Sequence, residues 1–271
     1  MSEWKFALST AFEAPETAPI LLKGDICDNL RKAKKLGYQA VEIHLRENAV
    51  LDYIKIKEVM KETNVSIAQI ITGRLCTEGG LTLVADTADT ENAAVVGMKR
   101  YIDMASALNA DIVLGWAKGR LLKGMTERQY YERLAKKLIV LDEYAIENNV
   151  KINIEVLNRY ETDVLKTAHE TAAFIREYHL DACRVHLDTF HMNIEEIDMT
   201  KAIKASKGLL GYFHLADATR WYPGSARLDF ESILRTLSEI DYNGFLSVEC
   251  LPHGNGEETA MKALEYLSKI A

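Results

Sequence analysis

The 271-residue chain has only four prolines and fifteen glycines, which excludes a collagen-like or linker-rich polypeptide. It has no CxxC pair. Cys27, Cys76, Cys183 and Cys250 are scattered, so neither a disulfide framework nor a thiolate metal site is indicated. No apolar run approaches the roughly 18 residues that span a bilayer, because Lys, Glu, Asp or Asn interrupts each one. The opening MSEWKFALST lacks a basic segment followed by a long apolar one, and a reducing, cytoplasmic location is expected. A basic run is missing too: 33 Lys and Arg stand against 40 Asp and Glu, a net charge of −7. Without cations to neutralise phosphates, no nucleic acid is expected as partner, and no membrane.

What remains is core-forming material, with 48% hydrophobic and 27% charged residues. Short β-rich runs recur along the chain: Phe6–Ser9, Ala40–His44, Ser66–Ile71, Asp111–Leu114, Lys151–Glu155, Val185–Asp188, Leu210–His214 and Phe245–Glu249. Between them lie segments such as Asp25–Leu36, Glu91–Leu108 and Glu127–Ile146, with apolar residues at spacings of three and four. In the last of these, Leu134, Leu138, Leu141 and Ala145 form one stripe, Thr126 is placed to cap it, and Gly37 is placed to end the first. Eight strand–helix units of about 34 residues predict one (β/α)8 TIM barrel, an α/β fold with eight parallel strands ringed by helices, as a single domain over residues 1–271. A doubly wound sheet or a helical solenoid fits less well, since each unit contains a strand and no side-chain signature repeats. The longest irregular stretches, Thr72–Asp89 and Ala216–Leu228, read as loops over an active site.

The ends of the late strands carry the chemistry. Glu155 closes KINIE, Asp188 closes VHLD, His214 closes LGYFH and Glu249 closes FLSVE, at intervals of 33, 26 and 35 residues. In a parallel barrel the C-terminal strand ends meet at one mouth, so spacing by one βα unit becomes adjacency. Any one of these is also an ordinary polar residue where a strand stops. Four in succession are harder to dismiss, and the three carboxylates among them would repel unless a cation neutralised them. Three carboxylates and one imidazole suit a divalent metal, Mn²⁺ first, with Mg²⁺, Co²⁺ or Zn²⁺ as alternatives. Trp116 is a candidate apolar wall for a ligand, as are Phe6, Trp221 and Tyr222, although aromatics at strand ends are commonly core. His44 ends its strand near the mouth, whereas His169, His179 and His186 are expected away from it.

The segments Glu155-Val-Leu-Asn-Arg-Tyr-Glu161, Leu187-Asp188-Thr-Phe-His191-Met-Asn-Ile-Glu-Glu196, Phe213-His214-Leu-Ala-Asp217, Thr219-Arg220-Trp-Tyr-Pro-Gly224 and Ser247-Val-Glu249-Cys carry a resemblance. The whole chain, including the weaker Gly115-Trp-Ala-Lys-Gly-Arg120, resembles the xylose-isomerase-like barrel family of sugar epimerases and isomerases, and within it the ketose 3-epimerases acting on tagatose, psicose and ribulose.

That resemblance implies a metal bound by Glu155, Asp188, His214 and Glu249, with Glu155 and Glu249 as the acid/base pair that inverts C3 of a free ketose through a cis-enediolate. It also implies that Glu161, His191 and Arg220 hold the O1 to O3 end of the sugar, and it points to a homodimer or homotetramer. Read alone, His191 is equally a supporting group and Arg220 a partner for Asp217 or Asp229. The chain departs from the family where Gly224-Ser-Ala-Arg-Leu-Asp229 replaces a Gly-X-Gly-His-like turn, and Arg227 there suits a longer or phosphorylated substrate. Rival readings are an aldose–ketose isomerase of hydroxypyruvate or inosose type, an apurinic endonuclease, and a sugar-binding barrel without catalysis.

Overall fold

A computed structural model describes residues 4–271. Its strands are β1 (Lys5–Ala11), β2 (Leu22–Lys23), β3 (Ala40–His44), β4 (Ser66–Ile71), β5 (Asp111–Leu114), β6 (Ile152–Glu155), β7 (Cys183–Asp188), β8 (Leu210–Leu215) and β9 (Phe245–Val248). Every neighbouring pair is parallel, and β1 pairs with both β3 and β9, which closes eight strands into a TIM barrel. The two-residue β2 is an addition to the eight expected strands. It pairs with Thr10 and Ala11, where β1 extends past the end of its ladder with β9.

The helices follow their local signals. Asp25 accepts from the Cys27 and Asp28 amides to start Ile26–Leu36, and Gly37 ends it at φ +92°. Thr126 and Gln129 form a reciprocal capping box at the head of Glu127–Glu147, whose Leu134, Leu138, Leu141 and Ala145 are fully buried as the periodicity predicts. The helix expected from Glu91 begins earlier, at Ala88, because the Thr87 hydroxyl caps the Thr90 amide. The preceding irregular stretch holds one helical turn, Arg74–Thr77, while Ala216–Leu228 contains neither helix nor strand. Among the described residues no helix is long and apolar enough to cross a membrane.

The large core lies between strands and helices. A smaller cluster, Ala7, Ala40, Ala68, Ile71, Val113 and Tyr212, fills part of the barrel interior. Side chains alternate along a strand, so the inward set on the later strands reads Asn153 then Glu155, His186 then Asp188, Tyr212 then His214, and Ser247 then Glu249. On β3 the same alternation gives Glu42 then His44. The barrel thus becomes acidic and imidazole-rich toward its C-terminal end. The ladders slip register between Val41 and Glu42 and between Val185 and His186, a device that re-aims side chains beside sites.

Candidate metal and catalytic site

The four strand-end residues meet. Asp188, His214 and Glu249 each offer a ligand atom within 4.8 Å of the others, and Glu155 joins Asp188 with His191, and His214 with His186, at the same separation. Asp188 ends β7 and also caps the next helix, its Oδ1 accepting from the Phe190 amide at 2.7 Å. Among the described residues its Oδ2 has no hydrogen-bond partner, nor has His214 Nδ1. Burial pushes Glu155 up to about 8, helped by the charges of Glu249 and Asp188. Burial likewise raises Glu249 to about 7, against the pull of His214 and Arg220. Buried carboxylates pushed up in this way, beside orphaned oxygen and nitrogen atoms, fit a divalent cation. Glu155, Asp188, His214 and Glu249 would hold it.

Support for this cluster comes from residues that the strand-end pattern does not single out. Glu42 is fully buried and accepts from Tyr212 Oη at 2.9 Å, and its Oε2 lies 2.9 Å from His214 Nε2. That contact fixes His214 so that Nδ1 faces Glu249 at 3.6 Å. Burial alone would depress the imidazole, yet the Glu42 and Glu249 charges lift it to about 10. His44 Nε2 lies 3.7 Å from Glu249 Oε1, and burial holds this ring at about 4, hence neutral at pH 7. Lys118 is wholly buried and its Nζ donates to the main-chain carbonyls of Gly115 and Glu155, tying the end of β6 in place. Gly115 beside it leaves room for the glutamate, since a Cβ there would sit 2.5 Å from Glu155 Oε2 and make the carboxylate shift.

A cavity of about 380 Å³ opens over the glutamates, within the roughly 300–1,000 Å³ range of ligand pockets. Its walls include His44, Trp116, Glu161, His191 and Arg220, and the 14–20 segment after β1 covers it from above. His191 Nδ1 faces Asn158 Nδ2 at 2.6 Å. Asn158 is oriented by its Oδ1, which accepts from the Tyr160 amide, and by its Nδ2, which donates to Glu161 Oε1. An acceptor Nδ1 puts the proton of a neutral His191 on Nε2, which points between Asp188 Oδ2 at 3.7 Å and Glu155 Oε1 at 3.8 Å. Burial keeps this imidazole below its ordinary pKa. Arg220 donates to Glu249 Oε2 at 3.2 Å, faces Glu161 Oε1 at 3.7 Å and stacks on Phe190. The Trp116 indole N–H donates to Glu161 Oε2 at 3.1 Å.

The family described as "Xylose isomerase-like TIM barrel" matches residues 30–270. The chain belongs to the xylose isomerase-like TIM barrel family. Among its relatives it is 31% identical to the L-ribulose 3-epimerase of Methylomonas sp. (strain DH-1) over 223 residues, 80% of this chain and 75% of that one. It is 27% identical to the 3-dehydro-D-guloside 4-epimerase of Escherichia coli (strain K12) over 236 residues, 83% and 87% of the two chains. The solved structure of 3-keto-D-glucoside 4-epimerase from E. coli superposes with a TM-score of 0.84 at 21% identity, covering 98% of this chain and 100% of that one, a likeness of fold.

Within this xylose isomerase-like barrel several expectations need correction. His186 is not remote: it is buried in the barrel below the mouth, its ring 4.2 Å from that of His214, and among the described residues neither ring nitrogen has a hydrogen-bond partner. Two residues before Asp188 on β7, it shares the inward face. Phe6 is core, Trp221 packs on His253, and neither they nor Tyr222 line the cavity; of the four aromatics considered, Trp116 alone does. Arg220 pairs with neither Asp217 nor Asp229. Asp217 instead gathers the amides of Gly224, Ala226, Arg227 and Leu228, and Asp229 caps the helix Phe230–Glu239. The Arg227 side chain is exposed and does not line the cavity, so it is not placed to read a phosphate on a sugar bound there.

Proposed function

We propose that this protein is a divalent-metal-dependent sugar epimerase, with Mn²⁺ as its ion, that inverts the carbon beside a ketone, in the first instance C3 of a free ketose. The observation that carries this reading is the pair of buried glutamates, Glu155 and Glu249, on β6 and just past β9, lining one cavity around Asp188 and His214. When bound, a divalent cation supplies Lewis-acid polarisation of the ketone. Glu249 takes the C3 proton from one face of the sugar, leaving a cis-enediolate, and Glu155 returns a proton to the opposite face; the roles exchange in reverse. A carboxyl can both take up and return a proton, which suits it to both tasks. His191 Nε2–H and the Arg220 guanidinium are placed to donate to the developing oxyanion, with Glu161 holding a hydroxyl and Trp116 forming an apolar wall.

A second reading, inversion at C4 of a 3-keto sugar, uses the same proton transfer, and the match to 87% of the length of the E. coli 4-epimerase supports it. A nucleic-acid substrate is disfavoured by the acidic balance and by Ile71 and Leu114 ending β4 and β5, where no histidine stands to hold further ions. We further propose that the chain is a single barrel domain that associates as a homodimer or homotetramer, an association that sedimentation measures directly.

The deciding experiment incubates metal-free and Mn²⁺-loaded protein with ketoses and with 3-keto sugars in deuterated water. Metal-dependent label at C3 of a ketose supports the first reading, and label at C4 of a 3-keto sugar the second. Label only at C1 or C2 would make the protein an aldose–ketose isomerase instead. Tight sugar binding without label in any compound would leave a binding barrel.

A further inference from the structure

The cavity over the glutamates has a neighbour on the far side of Trp116. A second cavity of about 700 Å³ shares Thr77, Trp116, Leu157 and Glu161 with it, so the Trp116–Glu161 hydrogen bond is a threshold between two chambers. Trp116 is 40% exposed although it sits among buried residues, and it presents indole surface to the space around it. Beyond the threshold, Val84, Leu122 and Leu157 give apolar wall and Thr82 and Thr90 give hydroxyls.

The chamber is preformed. The Leu83 amide donates to the Ala117 carbonyl at 2.8 Å, and Arg133 donates to the Ala85 carbonyl at 2.7 Å. Gly119, at φ +87°, lets its loop lie against the Val84 carbonyl where any Cβ would collide. The cations at its border are already engaged: Arg120 donates to the Glu161 carbonyl, and Lys118 to those of Gly115 and Glu155.

We propose that this outer chamber is a subsite for a neutral ring attached to the reacting sugar, so that the preferred substrate is a keto-sugar in glycosidic linkage to a second sugar or an aryl group. The inference rests on the epimerase reading. A single hexose is accommodated by the inner cavity alone, whereas the outer one, apolar with scattered hydroxyls and bordered by an indole, matches a ring with an apolar face and a polar edge. Among the described residues, the two cations that line it, Lys118 and Arg120, are both turned to main-chain carbonyls rather than toward a phosphate.

The test follows carbon-bound hydrogen exchange in deuterated water by the Mn²⁺-loaded protein with paired probes: D-fructose against its 6-O-glucosyl derivative, and a 3-keto-glucose against its phenyl glycoside. At least one ring-substituted probe is expected to show kcat/KM higher by about tenfold or more than its parent, and which pair responds identifies a sugar or an aryl occupant. L122W, with T90F as a second filling variant, is expected to remove that advantage while leaving exchange of the unsubstituted probes unchanged. Equal rates within both pairs, or an equal loss for all probes in both variants, would overturn the subsite and leave the epimerase reading standing. If no probe exchanges, the epimerase reading fails, and calorimetric titration of the substituted probes decides the subsite: binding weakened about tenfold by L122W supports it, and unchanged or absent binding overturns it.

Discussion

Glu42 stands directly behind His214, with Oε2 and Nε2 2.9 Å apart and both side chains buried. In the neutral imidazole that would bind a cation, this carboxylate would hold the proton on Nε2 and leave Nδ1 to face Glu249. Outer carboxylates of this kind are commonly worth about 10- to 100-fold in metal affinity. E42Q is therefore expected to weaken Mn²⁺ binding, measured by titration calorimetry, by that factor while the circular dichroism spectrum stays native. Unchanged affinity would show that Glu42 does not support His214 as a ligand.

Gly115 and Glu155 make a second, purely steric prediction. An added Cβ would lie 2.5 Å from Glu155 Oε2, a contact relieved cheaply because the carboxylate is the free end of a side chain. G115A should then fold with nearly the wild-type Tm but misplace the glutamate. Misplacement by about 1 Å can cost on the order of a hundredfold in rate, and the loss should appear in kcat. Wild-type kcat would mean that the position of Glu155 is not critical.

The strand-end residues were legible because a βα repeat of nearly constant length turns spacing into adjacency. Glu42 and His186 were not, although each lies two residues before a residue at the mouth, in AVEIH and VHLD. A charged or imidazole group inside an apolar strand of a closed barrel must find a buried partner, and that signal was available. Lys118 carried none: its burial depends on how the turn after β5 meets the end of β6. The 14–20 segment has no periodicity to reveal that it covers the cavity. Arg227 was misplaced for the opposite reason, since loop composition says nothing of Asp217 collecting the loop amides.

The metal-free protein should lose stability as pH rises from 6 to 8. Glu155 and Glu249, raised chiefly by burial to about 8 and about 7, are better accommodated protonated, so their penalty grows through this range. His214, held at about 10 by Glu42 and Glu249 despite burial, contributes most below its unfolded value and loses that contribution toward 10. Both act in the same direction. The rise in Tm on adding Mn²⁺ is accordingly expected to be larger at pH 8 than at pH 6, by a few degrees in calorimetry. A rise that is equal or larger at pH 6 would contradict the proposed ligand set.

Lys118 makes a stability prediction of its own. K118M removes two buried hydrogen bonds to carbonyls and is expected to cost about 1–3 kcal/mol in chemical denaturation. No loss would show that the ammonium is not holding the end of β6.

The central claim is that Glu155 and Glu249 move one proton across the plane of a keto-sugar. It is tested most directly by deuterium incorporation at the inverted carbon, with Mn²⁺ bound, in E155Q and E249Q, starting from each epimer separately. Each variant is expected to lose epimer interconversion by about 10²- to 10⁴-fold, while the glutamate left intact still exchanges label into the epimer whose proton it removes. Near-wild-type interconversion by either variant with metal bound would contradict the account.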